Sequence, residues 1–346
     1  MSIFDFVKST ELVAYWETLS QDRDPYIGEE LFPDKKKLGL DLKWIKGSKG
    51  LPIVLKTSAF DAQAVPRDRI AFDKLYSEMP FFKESLYIDE ELRQQLNMVI
   101  ETGNDAYIDS VVNRVFDDEM SLLEGAAAAR ERMRMMALTT GVVSMTSNGQ
   151  VFSFDYGVPS GHKSEVTVSW SSPDATVVED IRAALDKVQD DTGVRPSRAI
   201  CNRKTWGYIL NNNAIKKSVF VLTNGVGALN DARLRQYLMD ELELEVVVND
   251  KRYKDESGNV KKYVPDDTFA MFPSGDLGST WFGTTPEESD LMGTGAANVS
   301  ITDTGVAVTT IQKADPVNVE TKVTMICLPS FEAADQIYIL DVKQGA

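Results

Sequence analysis

The stretch from Asp105 to Gly141, DAYIDSVVNRVFDDEMSLLEGAAAARERMRMMALTTG, decides the fold of this chain. It contains no proline and no cluster of turn residues before about Thr139. Its apolar residues recur with the spacing of one buried helical face; they are Ile108, Val111, Val112, Val115, Phe116, Leu122, Leu123, Ala126, Ala129, Met133, Met136 and Ala137. The pattern predicts a helix over about 105–139, roughly 50 Å long at 1.5 Å per residue. A helix of this length normally bridges or backs a large flat structure.

Both ends of this predicted helix carry suitable signals. Asn104 is a good N-cap, and Thr139-Thr140-Gly141 is a good C-terminal stop. Acidic residues lie early and arginines late, which suits the helix dipole. We expect the charged side chains to take the solvated face, among them Asp117, Asp118, Glu119, Arg130, Arg132 and Arg134.

Residues 1–46 read as an arm and not as a domain. A short helix is expected from Ser9 to Leu19, with Leu12, Val13, Trp16 and Leu19 on one face. Prolines and glycines then interrupt any period, so the segment has no core of its own and should drape over another surface. Six lysines between positions 35 and 49 stand against the single acid Asp41, which makes this stretch locally basic; they are Lys35, Lys36, Lys37, Lys43, Lys46 and Lys49.

Residues 47–80 read as a long two-stranded loop that projects from the body. Gly47 and Gly50 allow a turn, residues 51–57 favour a strand, and Pro80 closes the segment. Loops of this length inside compact domains are uncommon and are usually functional.

After Gly141 the pattern changes to short strands and then to a mixed α/β region. Strands are expected at 151–157, 166–170, 198–202, 243–249, 268–272, 306–312, 319–328 and 336–342. Helices are expected over 173–193, 204–210 and 231–242, a hairpin over 253–264 and a long loop over 273–300. A chain that leaves one domain, builds a second and returns gives an α+β protein of two domains, the first of them discontinuous.

Composition restricts the classes of function. The 346 residues are 43% hydrophobic and 26% charged, with a net charge of −16, so the chain is a poor candidate for gripping nucleic acid. No apolar run is long enough to span a membrane, and Met1–Asp5 show no basic region followed by an apolar run, so we expect neither a membrane span nor a signal peptide. We expect Cys201 and Cys327 to be buried thiols in a protein made and kept in a reducing cytoplasm.

No constellation of residues predicts catalysis, a metal or a cofactor. His162 is the single histidine and sits in a turn sequence without a nucleophile elbow, so we interpret it as a solvated loop residue. No phosphate-binding glycine loop and no CxxC motif occurs. The acidic pairs Asp266-Asp267 and Glu287-Glu288 are interpreted as loop residues. We therefore predict no catalytic, cofactor-binding or metal-binding residues.

Several local patterns, in their order along the chain, resemble one family. These are residues 50–53 through 70–72, the helix end at 131–141, the strand at 151–157 followed by Trp170, and the Asp315-Pro316 and Leu328-Pro329 pairs among the last strands. They are similar to the extended loop, the spine helix, the strand after it and the returning peripheral domain of lambda-type major capsid proteins of tailed bacteriophages, the major capsid protein E family. Each pattern is short, and their order over about 300 residues carries the resemblance.

The resemblance implies the HK-97-type phage capsid fold. Residues 1–46 would be the N-terminal arm, 47–80 the extended loop, 81–170 with 301–346 the peripheral domain that holds the spine helix, and 171–300 the axial domain. The protein would be a major head protein of the virion that self-assembles as hexamers and pentamers in the bacterial cytoplasm. Scaffold, portal and decoration proteins are further candidate partners, packaged DNA would be enclosed without sequence-specific binding, and no membrane is involved.

Inter-subunit contacts are expected in the arm and the extended loop. The residues expected there are Lys35, Lys36, Lys37, Trp44, Lys56, Phe60, Arg67 and Arg69. Some relatives join a loop lysine to an asparagine of a neighbour, and Lys56 is available for this. Lambda-type relatives lack that bond, so we predict none here.

Two alternatives stay open. One is a hydrolase with an unrecognised active site, centred on His162. The other is a different phage structural protein, such as a tail tube or a portal. Tube proteins are usually smaller and rich in strands, and portals carry longer helices, so neither fits the long helix followed by an α/β insertion well.

Overall fold

The chain forms two compact units in a computed structural model that describes residues 8–21, 23–45, 74–88, 94, 98, 105–147, 149–220, 227, 229–295, 297–314 and 317–343. Unit 1 comprises Met1–Leu42, Ser77–Arg134 and Ser279–Ser330. Unit 2 comprises Lys43–Tyr76, Met135–Gly278 and Phe331–Ala346.

The helices confirm the dominant prediction. They are α1 (Ser9–Gln21), α2 (Ile27–Leu31), α3 (Asp105–Thr140), α4 (Val177–Thr192), α5 (Arg203–Asn211), α6 (Asn213–Val219) and α7 (Asp231–Leu242). The predicted long helix is α3, whose residues up to Arg134 belong to unit 1 and whose last turns belong to unit 2. It ends at Gly141, which has a φ of 74° and donates its amide to Ala137 O at 3.0 Å. A glycine at this position adopts the left-handed conformation without steric cost.

The strands form two large sheets and several hairpins. They are β1 (Asp34–Lys36), β2 (Asp41–Ile45), β3 (Lys74–Glu78), β4 (Phe81–Ile88), β5 (Val142–Ser147), β6 (Gln150–Asp155), β7 (Lys163–Glu165), β8 (Arg198–Cys201), β9 (Glu245–Val248), β10 (Arg252–Lys254), β11 (Val260–Lys262), β12 (Thr268–Phe272), β13 (Gly278–Phe282), β14 (Asn298–Thr302), β15 (Val306–Ala314), β16 (Val317–Phe331) and β17 (Tyr338–Asp341). Strand β2 pairs with β3, β5 with β6, and β10 with β11.

Unit 1 is built on a six-stranded sheet. Its order is β1-β13-β16-β15-β14, and β4 pairs with β16. The register of the long pair β15–β16 runs from Val306 opposite Met325 to Ala314 opposite Val317. Val306, Ala307 and Val308 are all buried in succession. Because consecutive strand residues point to opposite faces, both faces of this strand are covered.

Unit 2 is the predicted α/β body. Its five-stranded sheet has the order β7-β17-β12-β8-β9, with β8 parallel to β9 and β12 antiparallel to both of its neighbours. Helices α4, α5 and α7 each bury an apolar stripe in one core cluster, which includes Ile181, Leu185, Val188, Trp206, Ile209, Leu234 and Leu238. The left-handed Gly193 ends α4 as the sequence predicts.

Two of the expected elements are wrong. Residues 166–170 form no strand: the amides of Val166 and Trp170 donate to Asp341 O and Val342 O, and the residues between them bend away. Val166 and Trp170 are apolar because they are buried, and not because they belong to a strand. The expected loop 273–300 contains β13, a π-helical turn over Glu287–Leu291 and the start of β14. Its small residues serve close packing, since a Cβ on Gly283 would lie 2.8 Å from Gly39 O.

Candidate functional site

A buried charged cluster in unit 1 fastens the N-terminal segment to α3. We call Arg130, Glu131, Arg134, Asp34 and Asp303 the arginine cluster. The Arg134 side chain is 1% exposed, donates from Nε to Thr280 Oγ1 at 2.8 Å and pairs with Asp34. The Arg130 side chain pairs with Asp303 at 2.7 Å. The expectation that these two arginines lie on a solvated face is therefore wrong.

The charges of the arginine cluster change one another's pKa values. Burial raises the pKa of Asp34, and the Arg134 and Arg130 guanidinium groups act against that rise. Burial acts to lower the pKa of Arg130, but the charge and hydrogen bond of Asp303 and the charge of Asp34 together act against it, and the net pKa is raised. A buried arginine that keeps its charge must keep its partners, because an unpaired buried charge is strongly destabilising.

Gly28 brings the N-terminal segment into contact with the same part of α3. Its amide donates to Glu131 Oε1 at 3.2 Å. A Cβ at this position would meet Glu131 Oε2 and the aliphatic part of Arg134. The glycine is therefore required for α2 to approach α3 this closely.

Helix α1 packs on the sheet of its own unit. Leu12, Val13 and Trp16 are buried, and Trp16 Nε1 donates to Asp303 Oδ1 at 3.2 Å. Ser9 Oγ donates to Asn298 Oδ1 at 2.6 Å. The expectation that the whole arm lacks a core within its own chain is therefore wrong for residues 8–21 and 23–42. Leu19, expected on the apolar face, is 42% exposed.

The basic stretch after α2 is only partly available to other molecules. Strand β1 pairs in parallel with β13, and Lys35 Nζ lies 5.7 Å from the centre of the Trp281 ring. Lys36 forms an ion pair with Glu288 of its own chain. Trp44 lies in β2, where only its backbone is described. The expected contact residues Lys56, Phe60, Arg67 and Arg69, the expected strand 51–57 and the expected cap Asn104 lie outside the described residues.

Two further carboxyl groups of unit 1 are buried against expectation. Glu119 is 3% exposed, although its neighbours Asp117 and Asp118 are exposed as predicted. It accepts a hydrogen bond from Thr321 Oγ1 at 2.9 Å, and burial raises its pKa to about 7. Glu287 is not a loop residue but begins the π-helical turn and pairs with Lys322 at 2.7 Å. The helical period places Asp117 and Glu119 on different faces, which separates their environments.

His162 of unit 2 is a packing residue. Its side chain is 1% exposed, and Nε2 lies 3.0 Å from Asp191 Oδ2. Its ring stacks on Tyr338 with the ring centres 6.0 Å apart. The expectation of a solvated loop histidine is wrong, and a ring closed to solvent at this level offers no access to a substrate.

Other features that could support chemistry are also buried or incomplete. Cys201 and Cys327 are buried free thiols, as predicted, and burial raises the pKa of each to about 12. Within the described ranges, no three acidic, cysteine or histidine side chains are grouped so that they could hold a metal ion. None of the helices in that part of the chain combines the length and the hydropathy that a membrane-spanning segment needs.

Several large apolar side chains are exposed on the described part of the surface. In unit 1 they include Leu38, which is 84% exposed, and Phe81, Leu86 and Tyr87 of β4, which are 48%, 37% and 53% exposed. In unit 2 they include Val151 at the β5–β6 hairpin, Met239 on α7 and Val260 on β11. These side chains are accessible to other molecules.

Comparison with known protein families identifies the chain over nearly its full length. The sequence profile of the family described as Phage major capsid protein E matches residues 8–342. No curated protein matches the sequence.

Solved structures share the fold at low sequence identity. A phage-related protein from Bordetella bronchiseptica RB50 superposes with a TM-score of 0.55 at 14% identity, over 97% of each chain. A protein assigned as a prophage capsid protein of E. coli CFT073 gives 0.60 at 13% identity, over 97% of this chain and 99% of that one. A chain of the capsid asymmetric unit of cyanophage A-1(L) gives 0.51 at 10% identity, over 92% of each. These likenesses confirm the α+β HK-97-type fold.

Proposed function

Since this chain belongs to the phage major capsid protein E family, and is thus a structural protein of the phage capsid and not an enzyme, we propose that its copies assemble as hexamers and pentamers into an icosahedral shell around double-stranded DNA. The family match over residues 8–342 is the observation that carries this proposal. The exposed apolar side chains on both units support it, because a shell subunit must present several surfaces to its neighbours.

Each part of the chain has a proposed place in the shell. Residues 1–46 act as the N-terminal arm, 47–80 as the extended loop, 81–170 with 301–346 as the peripheral domain and 171–300 as the axial domain. The core of unit 2, formed largely by residues between Val166 and Met271, supports an axial domain over residues 171–300. Two strands of its sheet, β7 and β17, come from the flanking segments 81–170 and 301–346. Helix α3 supports the role of a spine because it contributes residues to both units.

The proposed contacts between subunits include Lys35, Lys36, Lys37, Trp44, Lys56, Phe60, Arg67 and Arg69. Charge reversal at Lys35 and Lys37 tests the described part of this set, and we expect a lower yield of closed particles. Lys36→Glu is a poorer probe because it also breaks the pair with Glu288 in the same chain. Unchanged assembly of the Lys35 and Lys37 variant would remove these residues from the interface.

Further proposed partners are a scaffold, a portal, decoration proteins and the enclosed DNA, with synthesis and assembly in the cytoplasm of the host. The net charge of −16 supports a wall that encloses DNA without gripping it, since strong binding to phosphates requires an excess of Lys and Arg.

Expression of the full chain in bacteria, first alone and then with the scaffold of the same phage, tests the function. Sedimentation and negative-stain electron microscopy should reveal closed, uniform particles in at least one of the two conditions. A protein that stays monomeric at high concentration in both conditions would contradict the proposal.

A further inference from the structure

Glu119 joins α3 to the sheet of unit 1. Its carboxyl Oε1 accepts a hydrogen bond from Thr321 Oγ1 of β16 at 2.9 Å, and the residue is 3% exposed. The other oxygen, Oε2, is buried and has no hydrogen-bond partner among the described residues. The helix neighbours Met120, Leu122 and Leu123 are buried beside it. A carboxyl group with one unsatisfied oxygen is therefore closed off from water between a helix and a strand.

The surroundings of this carboxyl do not favour its charged form. The titratable groups that the described neighbouring elements place around it are acidic or phenolic; they are Asp117 and Asp118 of α3, Tyr15 of α1 and Glu84 of β4. Strand β15 places the uncharged Thr310 opposite Thr321. The carboxylate of Asp118 acts to raise the pKa of Glu119 further. In the described part of unit 1, no cation therefore compensates an ionised Glu119.

The opposite face of β16 carries a second buried glutamate in a different environment. Glu287 is 4% exposed, lies 2.7 Å from Lys322 Nζ and accepts a hydrogen bond from Thr324 Oγ1 at 3.0 Å. Burial acts to raise the pKa of Glu287, but these two partners and a backbone hydrogen bond act against it, and the net pKa is lowered. Thr321 and Lys322 point to opposite faces because they are consecutive strand residues. One strand thus separates a glutamate that has a cation from one that has none.

Ionisation of Glu119 and the contact between α3 and β16 oppose each other. Desolvation disfavours a buried carboxylate that lacks a cation or a full set of hydrogen bonds. A local opening that admits water removes this cost, because the carboxyl group then ionises as it does in an unfolded chain. Loss of the proton is therefore coupled to separation of the helix from the strand.

We propose that Glu119 acts as a proton-dependent catch that holds α3 on β16. With the proton bound, the contact between helix and strand is closed. Loss of the proton shifts the population toward a form in which the α3 turn around Glu119 has separated from Thr321 and water reaches the carboxylate. The rigidity of unit 1 then depends on pH. This catch belongs to the folded subunit and does not rest on the proposed shell function.

The direction and the pH range of the catch follow from two pKa values. Burial raises the pKa of Glu119 to about 7 in the closed form, whereas in the open form it returns to the ordinary 4.5. The closed form is therefore favoured most below about pH 4.5. The equilibrium constant for opening should rise about tenfold per pH unit above that value, level off above about pH 7 and change by about 300-fold in total.

Native-state hydrogen exchange of the full-length, unassembled subunit measures this opening. Exchange rates of peptides that contain Glu119 or Thr321 are compared between about pH 5 and pH 8, after division by the intrinsic exchange rate at each pH. The native subunit should show the rise and the plateau. Glu119→Gln should show neither, because glutamine still accepts the hydrogen bond from Thr321 but has no proton to lose.

Two further variants sharpen the test. Glu124→Gln, at an exposed site on the same helix, is the matched control and should keep the native pH dependence. Thr321→Val removes the hydrogen bond that acts to lower the pKa of Glu119, so the plateau should move to a higher pH. A plateau at the native pH in this variant would show that Thr321 does not bind the titrating group.

Two results would overturn the catch. One is the same pH dependence in Glu119→Gln as in the native subunit. The other is an equal change in peptides from β8 and β12 of unit 2, which would show that the proton affects only unfolding of the whole chain. Either result leaves the shell function untouched, because particle formation is a separate measurement.

Discussion

Glu119 combines burial with incomplete hydrogen bonding. Thr321 donates to one carboxylate oxygen, and the other has no hydrogen-bond partner in the described part of the chain. Burial raises the pKa of this group from 4.5 to about 7, and the nearby negative charge of Asp118 adds to the rise. The folded subunit therefore prefers the protonated form over a pH range in which the unfolded chain is ionised.

Because of this preference, the free energy of unfolding decreases as the pH rises. A raised carboxyl pKa contributes stability that is fully present below about pH 4.5 and is lost as the pH rises to about 7. Relative to the native subunit, Glu119→Gln should gain up to about 3 kcal/mol between about pH 4.5 and pH 8. Urea unfolding of the unassembled subunit at several pH values measures this. Glu124→Gln, an exposed site on the same helix, should show no such gain, and equal curves for both variants would contradict the burial of Glu119.

Arg134 should be the costliest arginine to replace. Arg134→Met leaves the Asp34 carboxylate without its ion-pair partner and removes the donor to Thr280 Oγ1, so we expect a loss of about 3 to 5 kcal/mol in the free energy of unfolding. Limited proteolysis should then cut first between residues 23 and 37. Arg182→Met is the control, because its pair with Glu241 is about half exposed and should contribute less than about 1 kcal/mol. Similar losses in the two variants would show that Arg134 does not fasten the segment.

Single charged residues are where the sequence is least informative. Glu119, Arg130 and Arg134 look like members of a polar helix face, and only the partners Thr321, Asp303 and Asp34 explain their burial. Those partners lie more than 90 positions away in the chain, and one sequence cannot pair them. The sequence contains only a weak signal of their burial, which is that charged residues interrupt the apolar stripe of a very long helix.

At the scale of elements, the turn after α3 depends on two properties of Gly141. Its φ is positive, and a Cβ there would lie 2.7 Å from Val158 Cγ2. Gly141→Ala should lower the free energy of unfolding by about 2 to 4 kcal/mol, from backbone strain and overpacking together. Gly149→Ala is a matched control, since Gly149 also has a positive φ but nothing lies within 4 Å of its Cβ position. Thermal unfolding of both variants measures the difference, and equal losses would refute the steric role of Val158.

Elements with strong periodicity could be predicted, and elements made of small residues could not. Helices α3 and α4 could be predicted from the sequence, because each has an apolar stripe and ends at a left-handed glycine. Strand β13 escaped prediction because Gly278, Ser279 and Thr280 have the composition of a loop. Strand β13 joins the sheet of unit 1 by pairing with β1 and β16, which are distant from it in the sequence. A single sequence does not reveal such pairing.

At the scale of the whole molecule, the family follows from the order of elements, but one supporting argument does not hold. The N-terminal segment was expected to have no core of its own, yet within residues 8–21 and 23–42 the side chains of Leu12, Trp16 and Phe32 are buried in their own unit. These three side chains are therefore not available for contacts between copies. The match to the family profile supports the capsid function without the argument from the arm.

Cryo-electron microscopy of purified particles, at a resolution that separates helices, tests the shell function most directly. We expect a closed icosahedral wall made of copies of this chain, with α3 traceable in every subunit and the α/β unit grouped around the centre of each ring. A particle wall built from another protein, or a chain that yields no closed particles with or without a scaffold, would contradict the capsid function.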